Sequence, residues 1–595
     1  MHGPERIGEN KWKLNVWAPL HEKMTLHIVK PRDQKLEMTK DRDGFFSVEC
    51  DNVSAGTCYY FQVSGKDLPD PASHYQPEGV HKHSALVDHS TFKWTDELWH
   101  GQPLRDLVIY ELHIGTFSEA GTFDGAIEHL DDLTEIGINA IEIMPVAQFP
   151  GERNWGYDGV FPYAVQNSYG GPEGLKRLVD ACHSKGISVI LDVVYNHMGP
   201  EGNYLPEFGP YFSKAYHVPW GDAVNFDQQW SDGVRDYVIG NVGYWMKSFH
   251  IDGLRLDAIH TLFDTNPAHI LQEINDHAQR LREKTGKPFF LIAESDLNDP
   301  RVIKHRTVGG YGFDAQWLDD FHHALFVLVD PEGKKRYYDF GTVHQLAKAF
   351  CEGFVHSGDY VKFRKRKYGA SSAGYSGDKF IVFLQNHDQV GNRVLGDRIS
   401  GVGKERMMIA AATIILSPYI PMLFMGEEYG EEAPFTYFVH HSDPKLIEAV
   451  REGRKKEFAD FGEEWAAKDA QSADTFLECK LRWNTRKQGL HGEMLEWYKK
   501  LIALRRSHPV FKEFEKTCLQ TSVISPSALA IHRHTPEHDH EVYVFINFST
   551  EPVSYTMHGN DWNLLLTSSS QEKNGNTVKI APLSVAIYEM NDGGD

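Results

Sequence analysis

Eight short apolar runs, separated by longer stretches, dominate the middle of this chain: DLVIYELHI (106–114), AIEIMPV (140–146), ISVILDVV (187–194), GLRLDAI (253–259), PFFLIAE (288–294), FDAQWLD (313–319), FIVFLQN (380–386) and YIPMLFM (419–425). Near-continuous apolar runs of this length suit strands buried on both faces, as in parallel sheets covered by helices. The intervening stretches carry helical periodicity. Leu175, Leu178, Val179 and Cys182 recur at i, i+3, i+4 and i+7, and Gly186 supplies a stop. Val234, Tyr237, Val238, Val242, Trp245 and Met246 repeat the pattern over 234–249. Eight such units predict an α/β fold, a (β/α)₈ TIM barrel, whose working groups stand at the carboxyl ends of the strands.

The chain of 595 residues is too long for one core, so flanking domains are expected. Trp12, Leu14 and Val16 alternate, as do Met24, Leu26 and Ile28, then Tyr59, Phe61 and Val63, which predicts an N-terminal β-sandwich over 1–90, of the kind that binds carbohydrate. Residues 66–84, with three prolines and no period, read as a connection. The barrel is expected over 105–510, with a small insertion after strand three and a closing helix near 491–506. ALAIHRH (528–534), EVYVFINF (541–548), WNLLL (562–566) and LSVAIYEM (583–590) predict an antiparallel C-terminal β-domain over 511–595.

Composition narrows the partners. No stretch approaches the roughly 20 apolar residues that span a bilayer, and a formal net charge of −22 opposes nucleic acid and anionic lipid. A neutral substrate fits better, and aromatic residues at 12% offer faces for stacking on sugars. The N-terminal segment MHGPERIGENKWKL lacks a secretory pattern, and six scattered cysteines suit reduced thiols, so the expected compartment is the cytoplasm. One basic run, KFRKRK (362–367), stands apart; a solvated loop is its plain reading.

Strand three ends in DVVYNH (192–197), strand four in DGLRLDAIH (252–260), strand five in IAESD (292–296) and strand seven in LQNHDQ (384–389). Each sets a carboxylate at a strand's carboxyl end. Cleaving a glycosidic bond with retention takes two carboxylates about 5 to 5.5 Å apart, which adjacent strands four and five can supply. Taken singly, such an Asp equally caps a helix or pairs with an arginine. Taken together, DVVYNH, GLRLDAIH, AES and NHD resemble the four conserved regions of the α-amylase superfamily of retaining glycoside hydrolases, over about 105–510. The resemblance implies Asp257 as nucleophile, Glu294 as general acid and base, and Asp388 as the carboxylate that holds sugar hydroxyls. It further implies that His197 and His387 hydrogen-bond the glucose and that Tyr157, in WGYDG, forms a platform beneath it; for Trp155 and Phe161 packing is an equal reading. Arg255, two residues before Asp257, faces the same way and is expected to keep it ionised.

Some relatives hold calcium through the Asn of DVVYNH, here Asn196, but 198–231 shows no cluster of acidic ligands and no HExxH spacing occurs, so neither an essential metal nor a cofactor is expected. AQFPGERNWGYDGV, AESDLNDP (293–300) and FLQNHDQVGNR (383–393) are similar to the malto-oligosyltrehalose trehalohydrolase family, which implies a malto-oligosyltrehalose or related α-glucan substrate cut at the α-1,4 bond beside a terminal trehalose. Trp220, Phe363 and Arg364 are the candidates for trehalose recognition. A glycogen branching enzyme is the alternative, disfavoured by Ser295 and Asn386, which stand where those enzymes carry an acidic residue and a serine. A scaffold with a dead barrel fits less well, since all three carboxylates are present.

Overall fold

The computed structural model describes residues 2–459, 468–559 and 561–590. At its centre eight parallel strands close on themselves: β1 (Ile109–Leu112), β2 (Ala140–Ile143), β3 (Ser188–Val193), β4 (Gly253–Leu256), β5 (Phe290–Ala293), β6 (Ala315–Trp317), β7 (Phe380–Phe383) and β8 (Ile420–Phe424), with β8 pairing back to β1 through Ile109↔Met422 and Tyr110↔Leu423. Each strand falls within one of the eight apolar runs. All of their residues are buried, as strands covered on both faces must be.

The alternation of side chains sorts the barrel interior by height. Ile109, Ala140 and Ile190 share a buried apolar cluster with Phe290, Ile292, Ala315, Ile381, Phe383, Ile420 and Met422. Two residues further along, by the strand period of two, come Glu111, Glu142 and Asp192, and on β4 Arg255 pairs in register with Asp192. The floor is apolar and the layer above it is charged. The charged layer lies at the carboxyl ends of the strands.

The predicted helices lie between the strands: Gly171–Ser184 with Leu175, Leu178, Val179 and Cys182 buried, and Ser231–Phe249 with Val234, Tyr237, Val238, Val242, Trp245 and Met246 buried. After β3 the chain forms a two-stranded hairpin, Phe212–Val218 with Gly221–Val224, and between β6 and β7 the basic run forms part of another, Tyr360–Val361 with Arg366–Lys367.

Two antiparallel sheets precede the barrel. Gly3–Gly8, Lys11–Trp17, Phe45–Asp51 and Thr39–Lys40 form one; Gln34–Glu37, Thr25–Lys30, Cys58–Val63 and Lys66–Leu68 form the other. Trp12, Leu14, Val16, Leu26, Ile28, Phe61 and Val63 are buried in one shared core. The stretch expected as a pure connection therefore begins with a short strand at 66–68, because Val63–Lys66 turns back at once and its backbone pairs with Cys58–Val63. Behind the barrel lie a five-stranded sheet, in the order Leu519–Ser525, Ala528–His534, Glu541–Asn547, Ser584–Met590, Trp562–Thr567, and a three-stranded one.

Two buried arginines fasten the segment before β8, Arg505 from the closing helix Gly489–Ser507 and Arg533 from the last layer's strand Ala528–His534. Arg505 donates to the carbonyls of Ile415, Ser417 and Tyr419, and Arg533 to those of Leu416 and Glu513. They satisfy carbonyls that helix Lys404–Ile415 leaves without partners at its end. Among the described residues no helix is long and apolar enough to cross a membrane.

Candidate active site

Arg255 organises the mouth of the barrel. Fully buried near the end of β4, its guanidinium lies over the Trp317 ring at 4.2 Å from the centroid. Nη1 donates to Asp192 Oδ2 at 2.6 Å and Asp257 Oδ1 at 3.1 Å, and Nη2 donates to Glu294 Oε2 at 2.8 Å. One cation thus bridges the carboxylates that follow β4 and β5.

Asp257 is held on its other side by Asn196, whose amide donates to Oδ2 at 2.7 Å and to the Asp257 carbonyl at 2.9 Å. The Asn196 side-chain oxygen meets His197 Nδ1. Asn196, considered above as a calcium ligand, is therefore committed to fixing Asp257. Among the described residues no group of His, Cys, Asp and Glu side chains is arranged to hold a metal ion.

Glu294 Oε2 also accepts from the Ala258 backbone N–H at 2.8 Å. Burial pushes its carboxyl above the usual range; Arg255 opposes that shift, while the neighbouring Asp257 adds to it. With both protein donors on Oε2, Oε1 is the oxygen left to carry a proton.

Asp388 lies in the first turn of the short helix His387–Gly391 and is the most open of the three, its side chain 40% exposed. Its Oδ1 accepts from Asn392 at 3.2 Å and its Oδ2 lies 3.6 Å from His387 Nε2. His387 itself is buried. Burial disfavours its charge, yet Asp388 and Glu111 outweigh burial and hold its pKa up to about 9, with Nδ1 2.5 Å from Glu111 Oε1. The Tyr157 ring stacks on His387 at 5.0 Å, and its hydroxyl meets Asp192 Oδ2 at 2.6 Å and His387 Nε2 at 2.8 Å.

His197 is also brought to the site, but both of its ring nitrogens face protein oxygens, Asn196 Oδ1 and the Tyr157 carbonyl. Burial lowers its pKa. Trp220, half exposed at the tip of the hairpin after β3, stacks on the His197 ring at 4.5 Å and 21°. Trp155 packs inside, its indole N–H on the Thr436 carbonyl and its ring against Phe435, and Phe161 is buried too.

The basic run is not uniformly solvated. Arg364 donates to Asp296, two residues past Glu294, at 3.0 Å on Oδ2 and 3.2 Å on the carbonyl, and its guanidinium lies over the Tyr368 ring at 3.9 Å. Phe363 next to it is 65% exposed, with its ring edge toward Tyr338. The structure thus gathers Asp257, Glu294, Asp388, Arg255, Tyr157, His197 and His387 at one mouth, with Trp220 touching it and Arg364 tethered to it through Asp296. Three members of this network escaped the sequence reading as site residues: Glu111, Asp192 and Trp317. Glu111 and Asp192 are charged residues inside otherwise apolar strand runs, and that oddity was the available signal.

A closed eight-stranded barrel with flanking antiparallel sheets and a carboxylate-lined mouth defines a glycoside hydrolase of the α-amylase kind, and residues 111–218 match the alpha amylase catalytic domain family. The chain is 49% identical to a malto-oligosyltrehalose trehalohydrolase of Saccharolobus solfataricus over 84% of its length and 86% of that protein. It is 41% identical to the enzyme so named from Rhizobium sp., over 97% of each. A crystal structure from Salmonella typhimurium, described as an alpha amylase, superposes with a TM-score of 0.91 at 37% identity, covering 99% of both chains. The chain belongs to the malto-oligosyltrehalose trehalohydrolase family.

Proposed function

We propose that this chain is a retaining glycoside hydrolase that cleaves the α-1,4-glucosidic bond adjacent to the terminal trehalose of malto-oligosyltrehalose, releasing trehalose, with Asp257 as nucleophile, Glu294 as general acid and base, and Asp388 as the third essential carboxylate. The observation that carries this reading is the single guanidinium of Arg255 bound to both Asp257 and Glu294. One cation hydrogen-bonded to both gathers the two carboxyl groups that double displacement requires.

In this scheme Glu294, whose acid form burial favours, gives the Oε1 proton to the departing oxygen while Asp257 attacks the anomeric carbon. A β-glycosyl ester on Asp257 and free trehalose result. Glu294, now ionised, takes a proton from water, which attacks the same carbon and frees Asp257. Arg255 and Asn196 keep the two Asp257 oxygens in a fixed orientation throughout. Asp388, more exposed than its partners, is placed to accept hydroxyls of the ring being cleaved, and the charged His387 beside it offsets the crowding of carboxylates. The family membership favours water over branching.

Product analysis tests the reading. Malto-oligosyltrehalose should yield trehalose and a shorter maltodextrin, with little cleavage of plain maltodextrin. Chain transfer into branched products would replace this conclusion with the branching alternative.

A further inference from the structure

A further carboxyl group stands on the same rim. Asp319 opens helix Asp319–Val329, two residues past the end of β6, the strand that lies between β5 and β7. Glu294 follows β5 directly and Asp388 stands beyond β7, so Asp319 is placed between them on the rim. Its side chain is half-buried. Among the described residues no protein group hydrogen-bonds its carboxyl oxygens, although Asp320 beside it binds Asn298 and the backbone of Val355 and His356.

We propose that Asp319 is a specificity residue of the cleft, whose carboxyl group hydrogen-bonds hydroxyls of the sugar that departs. The claim rests on the roles proposed above for Asp257 and Glu294. The departing side is favoured by the company Asp319 keeps. The carboxyl groups acting on it most strongly are those of Glu294, Asp388, Asp320 and Asp296; the first protonates the leaving oxygen in the scheme above, and the last anchors Arg364. Burial first, then these four, push its pKa well above the carboxylate range. The acid form that this shift favours offers both a donor and an acceptor, which is what a sugar hydroxyl can use. The alternative assigns Asp319 only to the favourable first turn of its helix.

Two substrates and two variants separate these roles. α-Maltosyl fluoride carries the same glucosyl donor but releases fluoride instead of a sugar. Asp319→Ala should lose about 10- to 100-fold in kcat/KM on malto-oligosyltrehalose and far less on the fluoride. Asp319→Asn, which keeps a donor and an acceptor, should lose less than Asp319→Ala, with both variants checked for folding by thermal melts. Equal losses on the two substrates, no loss on either, or an Asn variant as impaired as the Ala variant would each overturn the assignment. Undiminished fluoride turnover by Asp257→Asn would instead break the reading on which it rests.

Discussion

Arg255 makes hydrogen bonds with three carboxylates from a position without solvent contact. The group is largely shut off from water, so its members depend on one another; removing one partner of a buried ion pair costs about 3 to 5 kcal/mol. The same network frames what Asp257→Asn will do. One face of Asp257 meets a guanidinium and the other an amide N–H₂, so the new amide nitrogen must face a donor. A fall in Tm of about 2 to 4 °C is expected for a chain of this size, with a folded variant whose kcat drops on the order of 10³-fold or more. Substantial turnover by that folded variant would move the nucleophile elsewhere. Glu294→Gln probes the partner. Because the folded-state pKa of Glu294 is raised, its acid form persists to higher pH than an ordinary glutamate, and activity falls as pH rises through that value. The glutamine variant should lose this alkaline limb, and a substrate with a good leaving group should restore its first step while deglycosylation stays slow. An unchanged bell-shaped profile would exclude Glu294 as the acid.

At the scale of elements, the hairpin 360–367 gives the clearest test of substrate choice. Arg364 is pinned by Asp296 and Tyr368, while Phe363 beside it presents a ring to solvent. Trehalose is compact and non-reducing, and a planar guanidinium with an aromatic face can read its hydroxyl directions. Arg364→Ala should therefore reduce kcat/KM for malto-oligosyltrehalose more than for a maltodextrin of equal length, by about 1 to 3 kcal/mol. Equal losses would return the hairpin to a role in stability. This hairpin also marks where the sequence stops being legible. The barrel strands could be read because burial on both faces leaves an unbroken apolar run, and the helices at 171–184 and 231–249 because one face repeats. KFRKRK has neither signal, and its structure depends on Asp296 and Asp339, residues distant in sequence. The contact of Glu111 with His387 was equally hidden, since only closure of the barrel brings β1 beside the loop after β7. Asn196 could be picked out as a polar ligand and Asp257 as a carboxylate, but their pairing could not.

Across the whole molecule, buried acids set how stability responds to pH. Glu427 and Glu428, just beyond β8, are buried with pKa values pushed up to about 7; burial is the main cause for both, partly offset at Glu428 by Arg486 and the Tyr110 hydroxyl. A raised folded-state value means that the native protein binds the proton more tightly than the unfolded chain. The contribution of these two groups to stability is accordingly fullest below the ordinary glutamate range and is lost as pH rises through about 7. Glu428→Gln removes that ionisation and keeps an acceptor for Tyr110. It should leave Tm nearly unchanged at pH 5 and raise it relative to the parent at pH 8, by the equivalent of about 1 to 3 kcal/mol. A gap between the two proteins that did not vary with pH would contradict the assignment.

The closure of β8 against β1 also constrains how the chain is made. Ile109 waits for Met422 before either has its full set of backbone partners. Synthesis at about 5 to 20 residues per second therefore leaves a growing row of paired strands with an open edge for many seconds, and such edges invite pairing with other chains. The two N-terminal sheets draw their strands from residues 3–85 and need nothing downstream to pair. They can be complete while the barrel is still an unclosed arc, so for part of synthesis one finished unit precedes an unfinished one.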